Sequence, residues 1–294
     1  MPDRRVLITG AEGFVGAHLR EQLGDDAIAA DADVLEPAAV GRAVREARPS
    51  AVVHLAALSS VAESWTDAHG VWSVNVVGTV NVLEAVRAEA PQARVLFAST
   101  GEVYGRARTI PTPESEPLAP VSPYAATKAA AEVACEHARR HGRDIVVARA
   151  FNHEGPGRDA RFAIGSWTRQ IAELEEAGGG TLEVGDLTAE RDLGDVRDVC
   201  RAYTLLLDDA VEAGTYNVAT GRSVPMSAVI ERLVALARVD VAVVQRPERM
   251  RPAEIPRMAG DASRLRAATG WQPEIPLEQT LADALDAARR ALVA

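Results

Sequence analysis

A hydroxyl, a carboxylate, two phenols and an amine lie in two short stretches of the chain and could move protons between them. The stretch STGEVYG contains Thr100, Glu102 and Tyr104, and SPYAATKAAAE contains Tyr124 and Lys128. Because Tyr124 and Lys128 are four residues apart, they share one face of a helix. An ammonium beside a phenol stabilises the phenolate, so we expect Lys128 to draw the pKa of Tyr124 towards neutrality. The pair predicts a tuned acid and base, with the Thr100 hydroxyl directed at the same substrate oxygen.

Three glycines lie near the start of the chain, between a short apolar run and a helical pattern. Gly10, Gly13 and Gly16 in VLITGAEGFVGAHL permit a tight turn and a close approach of backbone amides to a pyrophosphate. The phosphates then lie at the positive end of the following helix. This loop predicts a dinucleotide cofactor; a plain turn between strand and helix is the alternative.

An acidic residue that holds the adenosine ribose is expected about 20 residues after such a loop. Asp31 follows the second apolar run, in AIAADADV, and meets this expectation. No arginine lies between Arg20 and Arg42, although arginine usually holds a 2′-phosphate. The expected cofactor is therefore NAD or NADP, with NAD favoured.

Apolar runs without polar alternation recur through the first half of the chain and alternate with helical patterns. Helices are predicted from Gly13 and over residues 37–47, 71–89 and 122–140. Such strands are buried on both faces, and helical crossovers between them give a parallel, doubly wound α/β sheet of the Rossmann type. The predicted domains are a dinucleotide-binding domain, residues 1–150 plus about 195–221, and a smaller, discontinuous substrate lobe, about 151–194 and 222–294.

Composition narrows the class of protein further. A formal net charge of -10 over 294 residues argues against a nucleic-acid partner. No apolar run approaches the ~20 residues of a membrane span, and the N-terminus shows no signal-type segment, so a cytoplasmic protein without a membrane partner is expected. Cys135 and Cys200 fall in helical patterns and are interpreted as free packing residues. No metal site is predicted.

Along essentially its whole length, the chain resembles the extended short-chain dehydrogenases/reductases that act on nucleotide sugars. The shared stretches include ITGAEGFVGAHL, VVHLAALSSV, STGEVYG, SPYAATKAAAE and YNVATG. The stretches FNHEGPG, RDLGDVRD and RPAEIP make it most similar to the GDP-sugar branch of that family. This branch contains the GDP-4-dehydro-6-deoxy-D-mannose reductases and the GDP-mannose 4,6-dehydratases.

The resemblance implies a role for each residue of the predicted site. Tyr124 exchanges a proton with the C4 oxygen of the sugar while hydride moves between C4 and the nicotinamide; Thr100 holds that oxygen, and Lys128 bonds the nicotinamide ribose. Further cofactor contacts are implied at Phe14, Val15, Asp33, Val34, Leu55, Ala56, Ala57 and Asn75. Contacts with a nucleotide-diphosphate sugar substrate are implied at Ser59, Asn152, Arg191, Arg251 and Glu254. A homodimer through a four-helix bundle, formed by helices 71–89 and 122–140 of two subunits, is also implied.

Several reactions fit these residues, and we favour reduction of the C4 ketone by NAD(P)H. A 4,6-dehydratase also needs a base for the C5 proton, and Glu102 has the position of that base in the dehydratases. Gly101, which precedes it, cannot donate a proton, whereas dTDP-glucose dehydratases have an aspartate there. A nucleotide-sugar epimerase and a non-catalytic dinucleotide-binding protein are the remaining alternatives.

Overall fold

The computed structural model describes residues 4–249 and 255–293. The strands are β1 (Val6–Thr9), β2 (Ala27–Ala29), β3 (Ala51–His54), β4 (Arg94–Thr100), β5 (Ile145–Ala150), β6 (Asn152–Glu154), β7 (Gly180–Val184), β8 (Glu190–Asp195), β9 (Thr215–Val218), β10 (Ser223–Pro225) and β11 (Val241–Gln245). The helices are α1 (Phe14–Leu23), α2 (Pro37–Ala47), α3 (Val61–Ser64), α4 (Ala68–Trp72), α5 (Gly78–Glu89), α6 (Pro123–Arg140), α7 (Ala163–Ala177), α8 (Val196–Leu206), α9 (Met226–Ala235), α10 (Ser263–Thr269) and α11 (Leu277–Val293). Short 3-10 turns cover Gly24–Asp26, Gly101–Tyr104 and Pro247–Arg249. In this described part of the chain, no helix is long and apolar enough to cross a membrane.

A parallel sheet forms the centre of the protein, with the strand order β2-β1-β3-β4-β5-β9 among the described residues. Each neighbouring pair runs parallel. β1, β3 and β5 are buried at every position, as expected for apolar strands that are covered on both faces. The strand order reverses between β1 and β3, and ligands bind at the carboxyl ends of the strands at such a point. The Rossmann-type α/β fold predicted from the sequence is confirmed.

The chain after β5 builds a second, smaller group of elements. β6, β8 and β10 form one sheet, and β7 pairs with β11. Helices α7, α9 and α11 pack on these strands around a buried apolar cluster that includes Trp167, Ile171, Leu182, Leu233 and Leu281. By contrast, β9 extends the central sheet beside β5, and α8 packs against α1. The boundaries of the two predicted domains remain our proposal.

The helix predicted over residues 71–89 is interrupted. A π-helical turn over Ser73–Val77 separates α4 from α5. Within this turn Asn75 is buried, and its amide donates to the Leu58 carbonyl oxygen and to the Thr127 hydroxyl, each at 3.0 Å. A π turn changes the direction of side chains locally and is common near functional sites. We attribute the interruption to these tertiary hydrogen bonds, which a sequence pattern does not reveal.

Candidate active site

The turn between β1 and α1 depends on glycines that larger residues could not replace. Gly10 has φ +69°, and a Cβ there would lie 2.7 Å from the amide nitrogen of Ala56. A Cβ on Gly16 would overlap the carbonyl oxygen of Gly10. Gly13 begins α1 without a side-chain cap, so the first amides of this helix are available to a ligand. A tight turn that ends on a helix start can bind the phosphates of a dinucleotide.

A cleft of about 620 Å³ opens at the carboxyl ends of the central strands and brings most of the predicted site together. The predicted cofactor residues that line it are Gly10, Gly13, Phe14, Val15, Gly16, Leu55 and Ala57. The predicted reacting and substrate-binding residues that line it are Thr100, Glu102, Tyr124, Lys128, Ser59 and Asn152. The glycine loop and the hydroxyl, phenol and amine therefore share one cavity.

Thr100 and the Tyr124–Lys128 pair reach this cleft from two different elements. Thr100 is the last residue of β4, and its Oγ1 accepts a hydrogen bond from the Glu102 amide at 3.2 Å. Tyr124 lies in the first turn of α6, whose start is capped by the Ser122 hydroxyl. Lys128 follows one turn later and is buried. The strand end and the helix start thus converge on one region of the cleft.

Burial is the main influence on the Tyr124 phenol, and it raises the pKa of the phenol to about 12. The Glu102 carboxylate also raises this pKa, whereas the Thr100 hydroxyl and the Arg158 guanidinium lower it in part. The expectation that Lys128 draws the pKa towards neutrality is therefore wrong, because burial and a neighbouring carboxylate prevail. A phenol with this pKa stays protonated at neutral pH, which is the state that a proton donor needs.

Lys128 is the only lysine among the 32 lysine and arginine residues of the chain. Its ammonium nitrogen lies 4.3 Å from the centroid of the Phe97 ring, and burial lowers its pKa to about 8. Arginine keeps its proton in proteins, whereas a buried lysine shifts its pKa readily. The use of lysine at this single position is a signal, present in the sequence, for a site that requires an amine.

Gly101 precedes Glu102 at the end of β4 and has no room for a side chain. A Cβ on Gly101 would lie 2.9 Å from Cδ1 of Phe151, whose ring is buried. Any larger residue at position 101 therefore has to displace this ring. Glu102 itself lines the cleft, and its charge acts on both Tyr124 and Arg191.

Six predicted ligand contacts among the described residues lie outside the lining of the cleft: Ala56, Asn75, Arg191 and, after β2, Asp31, Asp33 and Val34. The Asn75 side chain is used within the protein, since its oxygen accepts from the Leu58 amide at 2.9 Å in addition to the two bonds that it donates. Asn75 therefore holds the loop after β3, and its contact with the cofactor stays a prediction. Arg191 donates from Nη1 to backbone carbonyl oxygens, among them that of Ile255 at 2.8 Å. Its part in substrate binding stays a prediction.

The residues predicted around the adenosine follow β2 at the edge of the sheet. Asp31 and Asp33 are exposed, and Val34 is buried. The Asp33 carboxylate accepts a hydrogen bond from the backbone amide two residues later at 2.9 Å, which shapes the turn before α2. Arg251 and Glu254 lie outside the described residues. The ligand contacts of all five residues stay predictions.

Sequence reasoning missed an arginine that lines the cleft. The Arg158 guanidinium lies between two aromatic rings, 4.8 Å from the centroid of Phe14 and 3.7 Å from that of Phe162. Its Nε is 3.4 Å from Oε2 of Glu154, a buried carboxyl whose pKa is raised by burial to about 7. A cation that faces the same cleft as the glycine loop can hold an anionic group of a ligand. The sequence indicates Arg158 only through its position at the end of the stretch NHEGPGR, which begins with the predicted substrate contact Asn152.

Proteins of known function resemble this chain over nearly its whole length. A family model described as GDP-mannose 4,6 dehydratase matches residues 26–284. The chain is 38% identical over 289 residues to a GDP-6-deoxy-D-mannose reductase of Pseudomonas aeruginosa, with 95% of each chain covered. It is 29% identical to a GDP-mannose 4,6-dehydratase of Yersinia enterocolitica, over 85% of this chain and 76% of that protein.

A solved structure is similar over the same extent. The structure of RMD from Pseudomonas aeruginosa, complexed with NADPH, has a TM-score of 0.90 and 37% sequence identity, and the match covers 98% of this chain and 99% of that one. The similarity thus extends over the central sheet, the cleft and the second group of elements.

Proposed function

This chain belongs to the GDP-mannose 4,6-dehydratase family, and from that premise we propose that it reduces the C4 ketone of a GDP-4-dehydro-6-deoxyhexose. The observation that carries the proposal is the meeting of Thr100, Tyr124 and Lys128 in one cleft with the glycine loop. The 38% identity with a GDP-6-deoxy-D-mannose reductase supports this reaction. A nicotinamide dinucleotide supplies the hydride when it is bound.

Each of the three side chains has its own task in the proposed reaction. The Thr100 hydroxyl hydrogen-bonds the C4 oxygen and holds the ketone in place. Tyr124, which burial keeps protonated, donates its proton to this oxygen as negative charge develops on it. The ammonium of Lys128 then stabilises the phenolate that remains.

The chain's own residues fit a dinucleotide cofactor. Gly10 and Gly16 are packed too closely for side chains, and the start of α1 faces the cleft. Arg158 offers a cation to a phosphate in the same cavity. NAD or NADP is the cofactor class; the preference for NAD stays a prediction from the sequence, and the RMD relative is complexed with NADPH.

The substrate is a nucleotide-diphosphate sugar in this proposal. Asn152 and Ser59 line the same cleft as the reacting groups, and we propose that they contact the sugar and its diphosphate. Arg191, Arg251 and Glu254 are proposed to complete the contacts with the nucleotide, as the resemblance implies. A cytoplasmic location agrees with such a substrate and stays a prediction.

A 4,6-dehydratase is the second candidate, since Glu102 lines the cleft where a C5 base is needed. Two observations favour the reductase. Gly101 brings no acid to the C6 hydroxyl, and Phe151 leaves no space for one.

We further propose a homodimer in which α5 and α6 pack against the same helices of a second copy. Apolar side chains of α6 and of the run from α4 through the π turn to α5 are exposed: Trp72 by 44%, Val77 by 52%, Val80 by 41% and Val133 by 67%. α5 and α6 lie side by side, so these side chains can form a continuous apolar surface. A four-helix bundle between two copies buries such a surface.

The proposed reaction is tested by the oxidation of NADH and NADPH with a GDP-4-dehydro-6-deoxyhexose as substrate. We expect the wild-type protein to be active and Tyr124→Phe, which removes only the phenol oxygen, to lose at least ~10²-fold in kcat. The control is Tyr216→Phe, because the Tyr216 hydroxyl donates to the Glu212 carbonyl oxygen and does not line the cleft. Equal activity of Tyr124→Phe and the wild type contradicts the proposal.

A further inference from the structure

Beside the cleft, whose lining includes Ser99, a set of buried polar side chains links the two elements that supply the reacting groups. Ser99, the residue before Thr100 in β4, donates its hydroxyl proton to Oε1 of Glu132. Glu132 is buried and lies one helical turn after Lys128 on α6. The strand with the hydroxyl and the helix with the phenol and amine are therefore joined through a single carboxylate.

Arg149 of β5 holds this carboxylate. Its Nε donates to the two oxygens of Glu132 at 3.0 and 3.1 Å, and its Nη2 donates to Oε2 at 2.6 Å. Its Nη1 donates to the Tyr104 hydroxyl at 2.8 Å, and Tyr104 in turn donates to Oδ1 of Asn217 at 2.7 Å. The network thus reaches β9 and the 3-10 turn that contains Glu102.

We propose that Glu132 is a positioning residue, which fixes the end of β4 against α6 so that the hydroxyl of one meets the phenol and amine of the other. This inference rests on the proposed function, since it takes Thr100, Tyr124 and Lys128 as the reacting groups. Such groups have to be held within about 0.5 Å of their working geometry. Hydrogen bonds between strand and helix supply a directional restraint, whereas apolar contacts are not directional.

A role in stability alone does not account for the position of this ion pair. Buried ion pairs are weak contributors to stability compared with apolar residues of the same volume, yet this one lies next to both reacting elements. The Glu132 carboxylate also acts on the charge of Lys128. Burial lowers the pKa of Lys128, and Cys135 and Glu132 both oppose this lowering. Burial raises the pKa of the Cys135 thiol to about 12 and lowers that of His54 to about 3, so both are uncharged where Lys128 titrates. Glu132 therefore supplies the negative charge.

Ser99→Ala separates positioning from stability, because it removes the link to β4 and leaves the Glu132–Arg149 pair intact. We expect kcat for ketone reduction to fall about tenfold, with the KM for the cofactor and the unfolding temperature close to the wild-type values. The control, Thr168→Ala, deletes a buried hydroxyl that donates to the Gly165 carbonyl oxygen within α7 at 3.1 Å. It should leave kcat unchanged. A wild-type kcat in Ser99→Ala overturns the proposal.

A second readout needs no substrate. Since Lys128 is the only lysine, protein made with isotope-labelled lysine gives one side-chain NMR signal that can be titrated. We expect Glu132→Gln to lower the pKa of this signal relative to the wild type; an unchanged titration overturns the proposal. If Glu132→Gln does not fold, Ser99→Ala decides the question. A wild-type protein that reduces no ketone, but in which Glu132→Gln lowers the Lys128 pKa, overturns the proposed function and leaves the positioning role intact.

Discussion

The ring of Phe151 occupies the space into which any side chain at Gly101 would project. Two ring carbons, Cδ1 and Cε1, lie 2.9 Å from the position of a Cβ there. The end of β4 therefore offers the Thr100 hydroxyl and the Glu102 carboxylate, with no third polar side chain between them. This arrangement suits a single proton transfer at C4 better than the further steps of a dehydration.

Gly101→Ser tests this packing. We expect the larger residue to displace Phe151 and to lower the free energy of unfolding by about 1–3 kcal/mol, the usual cost of overpacking. We also expect it to create no conversion of GDP-mannose. Denaturant unfolding and product analysis measure the two effects.

The matched control is Gly41→Ser in α2, where a Cβ meets no atom within 4 Å. Its unfolding free energy should equal or exceed that of the wild type, because glycine is a poor helix former. A stable Gly101→Ser protein that dehydrates GDP-mannose contradicts this account.

The pH dependence of the reaction follows from the Lys128 amine and the Tyr124 phenol. Burial lowers the pKa of Lys128 to about 8, so its amine loses the proton above this pH and no longer stabilises the phenolate. The Tyr124 pKa is raised to about 12, so the phenol stays protonated over the same range. We expect kcat to be constant below about pH 8 and to fall above it, measured at saturating substrate between roughly pH 6 and 10. A kcat that is still constant at about pH 9.5 is the opposing result, because a lysine with the ordinary pKa of 10.5 keeps its proton there.

Asn75 is expected to affect cofactor binding from behind the loop. Asn75→Ala removes three hydrogen bonds, two to Leu58 and one to Thr127. We expect a loss of about 1–3 kcal/mol in unfolding free energy and a severalfold higher cofactor Kd, since the loop contains Leu55 and Ala57. Calorimetry and fluorescence titration measure these quantities.

Asn81→Ala is the control for this variant. The Asn81 side-chain amide donates to the Val34 carbonyl oxygen at 2.8 Å, so its removal costs this hydrogen bond, compared with three in Asn75→Ala. Cofactor affinity close to that of the wild type is expected. If both variants bind cofactor equally well, Asn75 does not position the loop.

The proposed dimer depends on the exposed face of α5 and α6. Val133→Glu places a charge on a side chain that is 67% exposed on α6, and burial of an unpaired charge is costly. We expect this variant to sediment as a monomer while the wild type sediments as a dimer. Val293→Glu, on an 82% exposed residue at the end of α11, should remain dimeric. A dimeric Val133→Glu protein places the interface elsewhere.

Features that depend on local spacing could be predicted from the sequence. The glycine loop needs only Gly10, Gly13 and Gly16 between a strand and a helix, and the Tyr124–Lys128 pair needs only a helical turn. Ligands bind at the carboxyl ends of parallel strands. Thr100 at the end of β4 could therefore be assigned to the same cleft as Tyr124 and Lys128 of α6.

Features that depend on contacts between distant segments could not be predicted. Burial and the Glu102 carboxylate raise the Tyr124 pKa, and neither influence can be seen in the spacing of Tyr124 and Lys128. The π turn in the predicted helix 71–89 depends on hydrogen bonds from Asn75 to other elements. Arg158 lines the cleft because rings from α1 and from the loop before α7 enclose it. None of these contacts leaves a periodic pattern in the sequence.

The central claim is tested most directly by one spectrophotometric assay of the wild-type protein with two substrates. We predict that a GDP-4-dehydro-6-deoxyhexose is reduced at C4 with stoichiometric oxidation of NADH or NADPH, and that GDP-mannose alone is left unchanged. Conversion of GDP-mannose to a 4-keto product without net change in cofactor absorbance would contradict this account and identify the protein as a dehydratase.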